Sequence, residues 1–335
     1  MPQILRTVLI PDETQAADGT PSFDLPVNPL SVVLLTVKAL NETTAIADYR
    51  YITALLNMVT DLRITYRGAS IIQGSLTDIA VMMAKLTGWA PWQGNAVEVN
   101  NDVRWITVPI CFGRKPYDAA ECFPATRRGD LVLTLTTDVL VVGADNLVLQ
   151  AETIELLEAT PERFTKITTT SKVSNAVSEH DIELPIGNDL LGVLLRDAAP
   201  PQAAAFTNQF GKVAIEVDNV ETIYAEANWE SLHGELLRMS PGLKSMQGHV
   251  HSVNAAGVAR EDTLEQQEGD KGASLLDNYA YLDLDPLRDG TYALKTAGAA
   301  RVNLRVDTQV ASATAMRVLP VELVNIAAAG GVPGG

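Results

Sequence analysis

A strand–turn–strand–helix pattern occurs twice in this chain, and a repeated unit of that size constrains the fold to two related bodies. Leu62–Thr87 reads as an alternating strand, a turn at Arg67-Gly68, a second strand through Ile71 and Ile72, and a capped helix. Residues 213–238 read the same way, with the turn at Asp218-Asn219 and the second strand through Thr222 and Ile223. Gly68 and Asn219 are residue types that tolerate the positive φ of a tight hairpin turn. Ile64 and Ile215 correspond, an offset of 151 residues. Further on, each copy has a strand ending at a proline, a loop and an alternating strand. These are Trp105–Pro109 with Leu131–Leu135, and Tyr281–Pro286 with Val302–Val306. Pro109 and Pro286 lie 177 residues apart, so the second copy is expected to carry 26 more residues than the first, placed in Met239–Asp277.

Period-two alternation dominates elsewhere too. Leu131, Leu133 and Leu135 share one face, as do Val213, Ile215 and Val217, and Leu62–Tyr66 and Val302–Val306 repeat the pattern. Such runs make half-buried strands. Ser31–Leu40 is apolar on both faces over much of its length and is expected to lie between layers. Helices are few. Leu76, Ile79, Ala80 and Met83 mark one over Leu76–Thr87, with Ser75 and Asp78 as an acidic capping box and Gly88 as its stop. Trp229, Leu232 and Leu236 mark another over Trp229–Arg238, with Asn228 as N-cap and Pro241-Gly242 after it.

At 335 residues the chain has room for about two domains, each with its own core. Against 25 Lys and Arg stand 41 Asp and Glu, a net charge of -16. That balance argues against a broad phosphate-binding face and against attraction to an anionic membrane. No apolar run approaches the roughly 18 residues of a membrane helix. The N-terminal MPQILRTVLIPDE lacks the apolar core of a secretory signal. The two cysteines, Cys111 and Cys122, are expected as reduced thiols in a cytosolic product, with a short local disulfide as the alternative.

The expected organisation is an N-terminal arm at 1–28, a first unit at 29–160, a second at 161–327 with an extended loop at 239–277, and a flexible tail at 328–335. Two β-rich units with one helix after a strand pair suggest tandem eight-stranded jelly rolls, an all-β fold with a few short helices.

Here a family resemblance enters. ITYRGASIIQGSLTDIAVMMAKLTG resembles the strand–turn–strand–helix segment early in the major capsid proteins of tailless icosahedral double-stranded-DNA viruses, which are double jelly rolls. WITVPICFGRKPYDAAECFPATRRGDLVLTLTTD is similar to a later stretch of that family, with Val108, Pro109, Phe112, Gly113, Arg114, Asp118, Pro124 and Ala125 at the matching places. DIELPIGNDLLGVLL and YLDLDPLRDGTYALKTAGAARVNLRVD resemble the opening strand and late strand pair of the second roll. The resemblance spans most of residues 25–327, and without a large insertion in the first roll it is to a compact member of the bacteriophage type. It implies a structural subunit of a virion shell, made in the host cytoplasm, assembling as pseudo-hexameric homotrimers that tile an icosahedral capsid. The implied partners are further copies of the chain, penton and minor capsid proteins, and an underlying viral membrane reached by the terminal arms. It implies no cofactor, no catalysis and no direct sequence-specific contact with nucleic acid.

Candidate chemistry is sparse. His249 and His251 could present two imidazoles to a metal, but no third ligand has suitable spacing, and loop histidines are the plainer reading. His180 carries no motif, and His233 beside Glu230 reads as surface helix pairing. Asp283, Asp285 and Asp289 could hold Ca²⁺ or form a solvated turn. Trp89 and Trp92 around Pro91 could form a carbohydrate platform or pack beneath a sheet. Cys111 has no nearby base to activate it. No residue is singled out as catalytic, cofactor-binding or metal-binding. The competing readings are a two-domain β-sandwich of carbohydrate-binding or adhesin type, and a cupin-like enzyme, of which His249-x-His251 is the one echo.

Overall fold

The structure is a computed structural model, and it describes residues 3–41, 52–89, 91–94, 101, 103–141, 144–197, 208–221, 224, 226–239, 251–253, 259–261, 275–276 and 278–326. The chain divides into two units, one of Met1–Phe164 with Gly242–Leu275 and Ile326–Gly335, the other of Thr165–Pro241 with Leu276–Asn325.

The roll of the first unit is built by β1 (Gln3–Thr14), β2 (Ser22–Asp24), β3 (Leu30–Asn41), β4 (Val59–Tyr66), β5 (Ala69–Gly74), β6 (Val103–Cys111), β7 (Leu131–Thr137) and β8 (Ala144–Leu157), with a short strand Trp92–Gly94 added on the outer side of β6. They hydrogen-bond in the orders β1-β8-β3-β6 and β2-β7-β4-β5. Two antiparallel four-stranded sheets in these orders make a jelly roll. Alternation fixes which side faces inward: Leu131, Leu133 and Leu135 of β7 are buried, as are Leu62 and Ile64 of β4. Ile64 faces Leu133, which in turn faces Phe23 of β2. In β3, residues Leu30–Val33 are buried on both faces, while from Leu34 onward buried residues alternate with half-buried ones. The strand is therefore covered on both sides only at its start.

The second unit repeats the plan with β9 (Thr170–Ser174), β10 (Glu179–Glu183), β11 (Asp189–Arg196), β12 (Phe210–Val217), β13 (Val220–Glu221), β14 (Tyr279–Asp283), β15 (Val302–Thr308) and β16 (Ser312–Asn325). Their orders are β9-β16-β11-β14 and β10-β15-β12-β13. In these eight strands this is the first roll again, while short strands at Ala227–Asn228 and Leu294–Lys295 are added only here. Ile182, Leu304 and Ile215 form the row that matches Phe23, Leu133 and Ile64.

The hairpin turns agree in backbone detail. Arg67 and Gly68 have φ of 48° and 85°, and Asp218 and Asn219 have 52° and 65°, the two left-handed residues of a twisted two-residue turn. Each hairpin leads toward a helix. Beside α1 (Ile52–Asn57), the first unit has α2 (Leu76–Thr87), in which Ser75 and Asp78 form a reciprocal capping box and Gly88 at φ 77° closes the end. The second unit has α3 (Trp229–Met239), with Trp229, Leu232 and Leu236 buried.

Three expectations change. Residues 3–14 are not part of an arm: they pair with β8 along their whole length, as the first strand of the roll. Their sequence hid this because residues 3–8 are exposed on both faces, so no apolar alternation develops. The prolines are not counterparts either. β6 runs through Pro109 to Cys111, whereas Pro286 lies beyond the end of β14 at Asp283. Strands β7 and β15 start at Leu131 and Val302, an offset of 171, so the second copy exceeds the first by 20 residues up to that point and not 26. Most of Met239–Asp277, with the second-strand residues Thr222 and Ile223 and the tail from 328, lies outside the described residues.

Candidate functional site: return loops and sheet edges

The loop after β6 holds a buried polar cluster. Glu121 is 3% exposed and accepts hydrogen bonds from the Arg114 backbone N–H at 3.2 Å and from Arg114 Nε at 3.1 Å, while Arg114 Nη2 contacts its other oxygen. Arg163 Nε approaches that same oxygen to 2.8 Å. Burial alone would raise the Glu121 carboxyl, but the hydrogen bonds and charge of Arg114 and the charge of Arg163 outweigh it and hold the group below the usual carboxylate range. Gly113 makes the turn possible: a Cβ there would lie 2.1 Å from the Glu121 carbonyl oxygen. Phe123 packs on Phe112, Phe164 and Tyr66 with ring centroids 4.9–5.6 Å apart. These groups lock a loop in place and present nothing for chemistry.

The second unit closes its loop after β14 with local bonds. Asp285 is buried and accepts from the Gly290 N–H at 2.8 Å, Asp283 accepts from the Asp285 N–H at 3.1 Å, and Asp289 accepts from the Thr291 N–H at 2.8 Å. The three aspartates considered for Ca²⁺ are thus engaged with backbone donors. Among the described residues no group of three His, Cys, Asp or Glu is arranged to hold a metal.

The other singled-out residues scatter. His180 sits on exposed β10 near Ser178, and the His233 ring stacks on Trp229 and reaches the Tyr279 carbonyl at 2.6 Å. Its partners are therefore core groups and not the Glu230 carboxylate that sequence suggested. Trp89 meets Tyr117 edge-on at 5.7 Å, while His249 and the side chains of Trp92 and His251 lie outside the described residues. Cys111 and Cys122 are thiols joined in no disulfide, and both are buried. Burial pushes each up to about 12, helped at Cys122 by the Asp118 charge and opposed at Cys111 by a Thr87 hydrogen bond. A shallow groove of about 390 Å³ lies over β3, β6 and β8, with Trp105, Lys38, Thr36, Thr107 and Gln150 along it.

A paired anchor escaped the sequence reading. Asn28 donates to Glu155 at 2.7 Å, and Asn188 donates to Glu322 at 2.7 Å. Glu155 faces Leu30 and Glu322 faces Leu190, so each asparagine stands two residues before the partner of its glutamate. Both inner strands bulge at the next step, between Leu30 and Val32 and between Leu190 and Gly192. Leu25 and Leu184 donate their N–H groups to the first residues of β7 and β15, at 2.9 and 2.8 Å. The signal was in the text: LPVNPL and LPIGNDL align once Gly187 is treated as an insertion.

No family model matches the sequence, and no curated protein does. Solved structures do. The STIV MCP crystal structure aligns with a TM-score of 0.63 at 13% identity, over 96% of this chain and 97% of that one. A chain of Sulfolobus Turreted Icosahedral Virus aligns at 0.65 and 13%, over 96% and 91%. The major capsid protein P2 from Bacteriophage PM2 aligns at 0.57 and 12%, over 97% and 98%. The fold class is therefore the double jelly roll of viral major capsid proteins, present from end to end.

Proposed function

We propose that this protein is a structural major capsid protein with no catalytic role, located in a virion shell and self-associating to build it. One observation carries the reading: a single chain holds two jelly rolls whose eight main strands follow one order and whose anchors repeat, and capsid chains align with it over 96–97% of its length. Two like blocks per chain let three chains present six similar faces, the geometry needed to tile a facet. The active unit is accordingly a homotrimer. Penton and minor capsid proteins, synthesis in the host cytoplasm, and a membrane beneath the shell belong to the same reading. With β1 now a strand of the roll, the membrane contact falls to the C-terminal tail.

Light scattering behind size exclusion tests it. A trimer of 35.9 kDa chains has a mass of about 108 kDa, and obligate oligomers hold together on dilution. That mass, or larger regular assemblies, is the expected result. A stable 35.9 kDa monomer overturns the reading and favours a glycan-binding sandwich, with the Trp105 groove as the place to test sugars.

A further inference from the structure

The groove over β3, β6 and β8 lies within the first roll, on the side of its sheet opposite the buried residues Val37, Ile106 and Leu149. Strand register sets its lining in two rows. Gln150, Thr36 and Thr107 stand abreast across β8, β3 and β6. In the next row Lys38 faces Trp105, and Trp105 faces Gly94 of the short strand Trp92–Gly94. Glycine at that place brings no side chain beside the indole. Sequence pointed to Trp89 and Trp92 for an aromatic platform, but Trp89 meets Tyr117, and it is Trp105 that lies along a groove.

The polar lining is held by its own contacts. The Thr36 and Thr107 hydroxyls share a hydrogen bond of 2.8 Å, which leaves this floor one proton and several lone pairs to offer. β1 bulges between Ile10 and Glu13. At the bulge the Pro11 carbonyl accepts from Gln150 Nε2 at 2.7 Å, and Asp12 accepts from Lys38 Nζ at 2.9 Å. These bonds fix the amide and the ammonium where they border the floor. The composition decides what fits. Lys38 is the one charged residue of the lining, and Asp12 already balances it, so a phosphate or sulfate finds no spare positive charge. Apolar side chains are confined to Trp105 and Val103, too little for a lipid tail. Hydroxyls, an amide and an ion pair beside one flat ring suit a neutral sugar, whose C–H face stacks on the indole while its hydroxyls exchange hydrogen bonds.

We propose that this groove binds a neutral saccharide, with Trp105 as the stacking ring and Thr36, Thr107 and Gln150 as hydrogen-bonding groups. The inference goes beyond the structural role and does not depend on the trimer. A groove this shallow binds weakly by itself. A shell multiplies it, because many linked sites engage a glycan-coated surface together.

Ligand-observed NMR titration of the full chain tests it. The probes are neutral oligosaccharides of glucose, galactose, mannose and N-acetylglucosamine, with a heparin oligosaccharide as the anionic control. Saturable binding of at least one neutral probe is expected, and none of heparin. Trp105→Ala should weaken that binding about tenfold, while Trp105→Phe, which keeps a ring, should stay within about threefold. Thr107→Val keeps the shape and removes a hydroxyl, for a loss of about threefold to tenfold. If Trp105→Ala fails to fold, Thr107→Val and Gln150→Ala carry the test. No saturable binding of any neutral probe by wild type overturns the proposal. Undiminished binding by the folded variants overturns it too, and preferential binding of heparin overturns the class of ligand. Light scattering on the same samples reads the oligomer separately: a trimer that binds no sugar removes this inference and leaves the shell reading standing.

Discussion

The two rolls share a strand order but hold it together differently. In the first, the loop after β6 is pinned by a buried carboxylate shared between two guanidiniums, and Leu76–Leu86 of α2 are all buried. In the second, the corresponding loop is tied by aspartates to nearby backbone N–H groups, and α3 leaves Glu230, Ser231, Gly234 and Glu235 exposed. Concentrating charge in the interior makes a few groups indispensable, since removing one partner strands the other without its counter-charge. Local turn bonds spread the same task over many small contributions.

The widest test of that contrast is Glu121→Gln, which removes the buried charge facing Arg114 and Arg163. A loss of about 3–5 kcal/mol is expected, read from the urea midpoint. The same carboxyl sets a pH response. Its folded-state pKa lies below the ordinary 4.5, so its contribution is complete above that value and vanishes as pH falls through the lowered one. Acid unfolding of wild type should steepen below pH 4.5, and Glu121→Gln should remove that component. Next comes Gly113→Ala, where the new Cβ must displace the Glu121 backbone; thermal melts should show about 1–3 kcal/mol lost. Asp285→Asn in the second roll keeps the shape and removes only charge from a hydrogen bond, so about 1 kcal/mol is expected. A cost equal to that of Glu121→Gln would erase the distinction between the rolls. The smallest effect is Ser75→Ala, about 1 kcal/mol or less for the lost cap on α2, measurable by differential scanning calorimetry.

What could be read from sequence was local. The hairpins, the α2 capping box and the alternating strands each rest on residues within a few positions of one another, where turn chemistry and periodicity act directly. β1 escaped because its partner lies more than a hundred residues away and its side chains face water on both sides. The asparagine–glutamate anchors escaped because one inserted glycine shifts the second copy out of a fixed offset. The Glu121 cluster had no signature at all: a buried carboxylate and an exposed one look alike in a charged loop.

The pairing of β1 with β8 also sets a clock. Their facing residues, from Gln3 with Leu157 to Thr14 with Val148, are separated by well over a hundred positions. At ~5–20 residues per second on the ribosome, β1 waits roughly 7–30 s for its mate. During that interval the nascent chain carries a strand with neither edge paired. Yet every strand of the first roll is in hand once Leu157 emerges, before any of β9–β16 exists. The first block can therefore be finished while the second is still being translated.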